Sequence, residues 1–497
     1  METTGPTPSS SDSGDAVARG PPQEVVDPAP ESPEEEVDPE DVHLYVPDPD
    51  EMKRESDKKF EDLLGDRQKS VRRIIEETFE DEMKNIAAGL PAYPPQEPPL
   101  IPVRFRAPAT PSPTHDVFGD ALYAIFQKLM LKGQPADFCH WMAYLIAARI
   151  DADRQWQQIR FNAGVYETDE TNAKQKTFID GVWPAVDSIL CLNAGRLASL
   201  REKWTGIHTA AEQLKGSRHR QEDRFVAYPN GKYMNHGQDP VGLLAVFDGH
   251  GGPECSQYAA AHLWEEWVKA RQVHDGRLEQ SLTSALVSLD ERMTVRSEKE
   301  MWKGGTTAVA CAVNMEDMEL AFAWLGDSPG YVMNNMEFRK VTREHSPSDP
   351  DEARRVEEAG GQLFVIGGEL RVNGVLNLTR ALGDIQGRPM ISNVPESTRV
   401  EIQPNDFLVL LACDGVSDVF TRCDLYNLVE AFVNQNEVEE YNQMAHFICE
   451  QAIQAGSSDN VTAVIGYLRP PQDVWNLMQS NSDGEDGSSS DEESDEN

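Results

Sequence analysis

Two apolar runs, residues 306–313 and 319–325, are separated by only five residues, NMEDM. Five residues close a hairpin. They are far too few for the crossover of about a dozen residues that parallel neighbours need. The sheet is therefore expected to be antiparallel here, which argues against a Rossmann-type fold. Further strands are expected over 241–247, 407–413 and 461–468, and helical patterns fall near 253–272, 277–298, 349–360, 422–434 and 440–455. The strand runs are almost continuously apolar, as strands covered on both faces are.

Acids punctuate these runs. VGLLAVFDGHGG ends in Asp248 and its glycines, AFAWLGDS in Asp327, and FLVLLACDG in Asp414; SSDNVTAVIGYL carries Asp459 just before its strand. A single acid there can serve as a helix cap or turn residue. Four at the ends of core strands are harder to explain that way, because carboxylates gathered at one edge cannot all stay ionised unaided. Carboxylates without clustered His or Cys select a hard divalent ion, Mg2+ or Mn2+, over zinc. GSRHRQEDRF adds Glu222 and Asp223, with Arg218 four residues before the glutamate. An arginine beside such a cluster is either a surface ion pair or a fork for phosphate oxygens. With His250 nearby, the set points to hydrolysis of a phosphate ester, two ions about 3.5–4 Å apart activating a water.

The surroundings fit that chemistry. Of the formal charge of −40, residues 1–50 supply −13 and residues 481–497 supply −8, a balance that lacks the basic footprint of a nucleic-acid or anionic-membrane binder. The seven cysteines form no CxxC pair, METTGPTPSS has no signal-like apolar stretch, and the longest apolar runs are about half a membrane span. An intracellular protein with reduced thiols is expected, cytoplasmic and also nuclear.

Along the chain, residues 1–50 are rich in Pro, Ser, Asp and Glu and are expected to be disordered. Residues 51–90 carry a helical stripe of Phe60, Leu64, Val71, Ile75, Phe79 and Ile86. Residues 91–113 are a proline-rich linker. Residues 114–205 read as a small helical domain, with Phe118, Leu122, Ile125, Phe126 and Leu129 on one face, Trp141, Leu145 and Ile146 opening a second helix, and more helix over 182–200. The catalytic part is expected over 206–470, and an acidic, serine-rich disordered tail over 471–497.

GSRHRQEDRF, LLAVFDGHGG, GGTTAVACAV, WLGDS, EEAGG, RVNGVLNLTRALGD, LLACDGVSDV and SSDNVTAVIGYL occur in the order found in the metal-dependent protein phosphatases of type 2C, which residues 206–469 resemble. RVNG, WLGDS and LASLREKWTGIH look most like the calmodulin-kinase phosphatase subgroup, which also holds a nematode sex-determination phosphatase with a long N-terminal extension. The resemblance implies an α+β fold: two mainly antiparallel sheets sandwiched between helices in four layers, here preceded by the small helical domain. It implies a protein serine/threonine phosphatase using two Mg2+ or Mn2+ ions, with a weaker third. Asp248 would bridge the ions with the Gly249 carbonyl on one of them, Asp414 and Asp459 would ligate the other, and Glu222 and Asp223 would hold metal-bound waters. Asp327 and Asp418 are placed for the third ion, and Asn460 would order the Asp459 loop. Arg218 would bind phosphoryl oxygens, and His250 would protonate the departing alkoxide. Phosphoproteins are the implied substrates, and residues 51–205 the surface for a partner, sex-determination proteins among the candidates. Ser417, Pro329 and EHSP (344–347) depart from the usual pattern, which bears on substrate preference and on the third-metal neighbourhood.

Rival chemistries lack their signatures. No cysteine is followed six residues later by arginine, no DxDx[TV] follows a strand, and GGTT (304–307) has no P-loop lysine. A catalytically silent scaffold should have lost an acid, and none of the core acids is missing.

Overall fold

The computed structural model describes residues 116–130, 136, 138–141, 143–144, 147, 207–231 and 240–485, all within one compact unit. The expected stripe over 51–90, the linker over 91–113 and the helix over 182–200 lie outside the described residues. In chain order the elements begin with α1 (Val117–Met130), β1 (His208–Leu214), β2 (Arg224–Tyr228), β3 (Gly242–Phe247), β4 (Gly249–His250), α2 (Glu254–Val273) and α3 (Leu278–Glu300). There follow β5 (Gly305–Thr306), β6 (Ala308–Asn314), β7 (Glu319–Leu325), β8 (Gly330–Asn334), β9 (Phe338–Lys340), α4 (Pro350–Glu358), β10 (Leu363–Ile366) and β11 (Glu369–Val372). The last are β12 (Leu382–Gly383), β13 (Glu396–Glu401), β14 (Asp406–Ala412), α5 (Asp414–Ser417), α6 (Arg422–Gln435), α7 (Met444–Gln454), β15 (Val461–Tyr467) and α8 (Pro471–Glu485).

The hairpin forms as its short connection requires. β6 and β7 pair antiparallel from Ala308 opposite Leu325 to Asn314 opposite Glu319. The turn closes because Asn314 Oδ1 accepts the Glu316 and Asp317 amides, at 3.0 and 3.2 Å. Around this pair grows one five-stranded sheet, β13-β7-β6-β3-β2; the other is β1-β15-β14-β8-β9, and every neighbouring pair is antiparallel. β3 and β2 pack against β15 across the interface between the sheets. Helices α2 and α3 cover the first sheet and α6 and α7 the second, giving the four-layer αββα architecture. A sheet with helix on one face and sheet on the other has no wet side, so β3, β6 and β15 are buried along their whole length.

The amphipathic reading of α1 holds. Leu122, Ile125, Phe126 and Leu129 are buried in the same continuous core as the sheets, with Phe118 packed against it. Phe126 meets Phe225 of β2 edge-on, ring centroids 5.5 Å apart, and Trp141 is buried beyond. At the head of α1 the buried Asp116 pairs with the buried His262 of α2 at 2.9 Å. Leu145 and Ile146 lie outside the described residues.

One expectation is corrected. The tail was expected to be disordered from 471, but α8 runs over Pro471–Glu485. Proline suits the first turn of a helix, and Val474, Trp475 and Met478 recur at helical spacing and are buried. Trp475 donates its ring N–H to the Asn436 carbonyl at 2.9 Å and packs on Phe432 of α6. Charge and serine content over 481–497 obscured this short apolar stripe. Among the described residues no helix is long and apolar enough to cross a membrane, and the six described cysteines are free thiols.

Candidate metal centre

Asp248 follows directly on the buried strand β3, and its backbone is locked. Its carbonyl accepts the Thr307 amide and the Thr306 hydroxyl, both at 2.9 Å, and its amide donates to Thr307 Oγ1 at 3.2 Å. Gly249 cannot carry a side chain here, since a Cβ would stand 2.4 Å from the Glu222 carbonyl oxygen. Asp414 opens α5 two residues after β14. One oxygen each from Asp248 and Asp414 and the Cys413 sulfur all lie within 4.8 Å of one another.

The other acids join from neighbouring strand ends. Asp223, buried just ahead of β2, accepts a hydrogen bond from Thr462 Oγ1 of β15 at 2.6 Å. Asp459, just ahead of β15, accepts from the Asn460 amide at 2.7 Å and from Arg218 Nη2 at 2.5 Å. Asn460 ties the segment down, donating to the Lys215 and Arg220 carbonyls at 2.9 Å each and accepting the Glu222 amide at 2.8 Å. Glu222 Oε2 accepts the Gly252 amide at 3.2 Å. Asp327 follows Gly326, at the end of β7. Asp418 sits one turn beyond Asp414, exposed at the rim.

Electrostatics show what this costs. Burial, with the nearby charge of Asp414, pushes Asp223 and Asp327 up to about 7. Burial and the Asp459 charge push Asp414 to about 6. Asp248 is driven well above the usual carboxylate range by burial and then by Asp223, Asp414 and Asp327. Partial desolvation and the charges of Glu344 and Glu369 raise Asp418 as well. Such a cluster calls for cationic charge from outside. Arg218 is more than half exposed and lies at the edge, engaged with Asp459 and the Ser458 carbonyl.

The donor set fits a hard ion. Burial, then the charges of Asp223 and Asp248, hold the Cys413 thiol protonated, and its sulfur accepts the Thr462 amide at 3.1 Å. That leaves oxygen donors from Asp248, Asp414 and their neighbours, the chemistry Mg2+ and Mn2+ prefer.

His250 stands on β4 beside this cluster, its Nε2 2.6 Å from Asp384 Oδ2. Burial lowers its pKa, but the hydrogen bond and charge of Asp384 outweigh that and raise it above the ordinary value. Asp384, in the left-handed region at φ 45°, follows the two-residue strand β12. Gly305 makes room for it, since a Cβ there would lie 2.3 Å from Asp384 Oδ2. Asp384 was missed in the sequence, although a signal exists: the triplet Leu-Gly-Asp ends at Asp327 and recurs ending at Asp384.

A sandwich of antiparallel sheets with acids and one imidazole gathered at its strand ends defines a class, and the chain belongs to the protein phosphatase 2C family, whose match covers residues 207–461. It is a protein serine/threonine phosphatase of that family. Protein phosphatase fem-2 of Caenorhabditis elegans is 59% identical over 450 residues, 89% of this chain and 100% of that protein. Human protein phosphatase 1F is 31% identical over 291 residues, 58% of this chain and 61% of that protein. A solved structure described as that of a C. elegans sex determining protein is 58% identical with a TM-score of 0.67, covering 83% of this chain and 98% of that one.

Proposed function

We propose that the chain hydrolyses phosphoserine and phosphothreonine in proteins with the help of two Mg2+ or Mn2+ ions. Asp248, the Gly249 carbonyl, Asp414 and Asp459 would hold them, Glu222 and Asp223 completing the set through water. Asp327 and Asp418 would take a third, weaker ion. The observation that carries this reading is the convergence of Asp223, Asp248, Asp327 and Asp414 in one place where burial and mutual repulsion oppose their ionisation. When bound, the ions supply the charge that lets these acids ionise together and polarise the attacking water.

The chain's own groups do the rest. Arg218 grips the phosphoryl oxygens with its planar fork, exchanging its contact with Asp459 for substrate. His250, kept protonated by Asp384 at Nε2, presents Nδ1–H to the departing seryl or threonyl oxygen. Residues 51–205 recruit a protein partner. The nematode relative's likeness makes sex-determination proteins the first class to try.

The test is phosphate release from a phosphoserine peptide, with the protein stripped by chelator and then given Mn2+ or Mg2+. Turnover that appears only with the added ion supports the reading. Equal turnover in chelator and in Mn2+ overturns it.

A further inference from the structure

Glu222 and Asp223 sit on the turn that leads into β2, and the backbone of that turn is gripped from two sides. Asn460 holds one, through the Glu222 amide and the Arg220 carbonyl. Arg224 holds the other. Its Nη1 donates to the carbonyls of Gln221 and Asp223, at 2.9 and 2.7 Å, and its Nη2 to Gln257 Oε1 at 3.1 Å. One guanidinium thus bridges the residues on either side of Glu222.

What keeps the guanidinium there comes from outside the family match. Tyr123 of α1 lies over it, ring centroid 3.8 Å from Arg224 Cζ, and Gln213 Nε2 donates to the Tyr123 hydroxyl at 3.3 Å. Arg224 is only 5% exposed, and a cation over an aromatic face is worth most when desolvated. α1 itself is anchored by its buried stripe and by the Asp116–His262 pair. The path from the N-terminal helix to the acids is therefore a continuous one of direct contacts: Tyr123, Arg224, then the carbonyls flanking Glu222.

We propose that Tyr123 and Arg224 are positioning residues for the catalytic centre, so that docking of α1 sets how tightly Glu222 and Asp223 take part in metal binding. This rests on the metal reading above. It gives α1 a positioning role toward the metal centre, beyond any role in recruitment. A partner that lifted α1 would weaken the centre's hold on its ions without touching the cleft.

The experiment is calorimetric titration of Mn2+ into the chelator-stripped full chain, followed by turnover at saturating Mn2+. Tyr123→Leu is expected to weaken Mn2+ binding by about three- to thirtyfold while kcat at saturation stays within about twofold. Tyr123→Phe, which keeps the ring face, should restore nearly wild-type affinity. Arg224→Lys should weaken binding similarly, because an ammonium cannot stack and bridge two carbonyls together. The double variant should be no weaker than Arg224→Lys alone. Wild-type Mn2+ affinity in Tyr123→Leu overturns the proposal. If that variant fails to fold, wild-type affinity in Arg224→Lys overturns it. A wild-type chain that takes up no Mn2+ removes the metal reading and this inference with it; uptake by wild type that the Tyr123 and Arg224 variants match removes the inference alone.

Discussion

Asp384→Asn separates the charge on His250's partner from everything else about the site. Asp384 has φ 45°, a region where asparagine is among the few residues tolerated, and the amide matches the carboxylate in size. The backbone should therefore stay in place. In the wild type, burial lowers the His250 pKa and Asp384 more than compensates. With the carboxylate gone, burial wins. A hydrogen bond to a charged group is worth about 1.5–3 kcal/mol, and a tenfold change in an equilibrium is about 1.4 kcal/mol, so losing that charge lowers the pKa of His250. On the alkaline side its protonated form then becomes about ten- to a hundredfold rarer. The assay is kcat/KM from about pH 6 to about pH 9 at saturating Mn2+, on a phosphoserine peptide and on nitrophenyl phosphate. For the peptide the alkaline limb should move to lower pH, the rate above it falling about ten- to a hundredfold. The aryl ester, whose leaving group scarcely needs a proton, should change little. An unmoved limb, or equal losses on both substrates, refutes the general-acid role of His250.

Three further outcomes are expected. Arg218→Ala should raise KM far more than it lowers kcat, since the arginine meets phosphate oxygens in ground and transition states alike; steady-state kinetics with unchanged KM and a large fall in kcat contradict that. Trp475→Ala should lower stability in urea by about 3–5 kcal/mol, because its ring is buried under α6; a loss below about 1 kcal/mol would mean α8 is not docked. The Asp116–His262 pair should make stability depend on pH. Burial opposes the Asp116 charge, but His262 and Arg296 hold it at about 2, so its contribution is present above the ordinary carboxylate pKa and fades as pH falls toward 2. Burial lowers His262, but Asp116 outweighs that and raises it, so its contribution is full below its ordinary value and is lost as pH rises through the raised one. Because the raised Asp223, Asp327 and Asp414 also cost the metal-free fold stability as pH climbs from about 4 toward about 7, the pair is read from the difference in urea midpoint between wild type and His262→Gln, which should be largest between about pH 4 and about pH 6.5. His262→Gln should flatten the alkaline decline; a slope as steep as wild type's would count against the pair.

How much of this was readable depended on where each residue packs. β3, β6, β7, β14 and β15 announce themselves as apolar runs because helix or sheet covers both faces. β13 (ESTRVE) is an edge strand with no fully buried side chain, and β1 (HTAAEQL) is also an edge, so neither carries that pattern. The hairpin β10–β11 is not marked either, although LFVI is an apolar run closed by Gly367 and Gly368, because four apolar residues alone do not separate strand from helix. In the site, Asp248, Asp327, Asp414 and Asp459 were legible because each adjoins a legible strand. Asp384 follows a two-residue strand that exists only through its pairing with Gly305 and Thr306, a non-local contact invisible to periodicity. The stacking of Tyr123 on Arg224 joins residues about a hundred positions apart, and no local pattern marks either as a partner of the other.

The measurement that tests the metal centre most directly is Mn2+ binding to the stripped protein at about pH 7, by calorimetry in two buffers of different protonation enthalpy. Asp223 and Asp327 titrate near 7 and Asp414 near 6, and burial with the neighbouring acids pushes Asp248 well above the ordinary carboxylate range, so the cluster carries bound protons before an ion arrives. Two ions should bind, with more than one proton released per protein, and Asp248→Asn should lose most of that binding while keeping its fold. Binding without proton release, or an Asp248→Asn variant that takes up Mn2+ as the wild type does, would contradict a metal centre built on these acids.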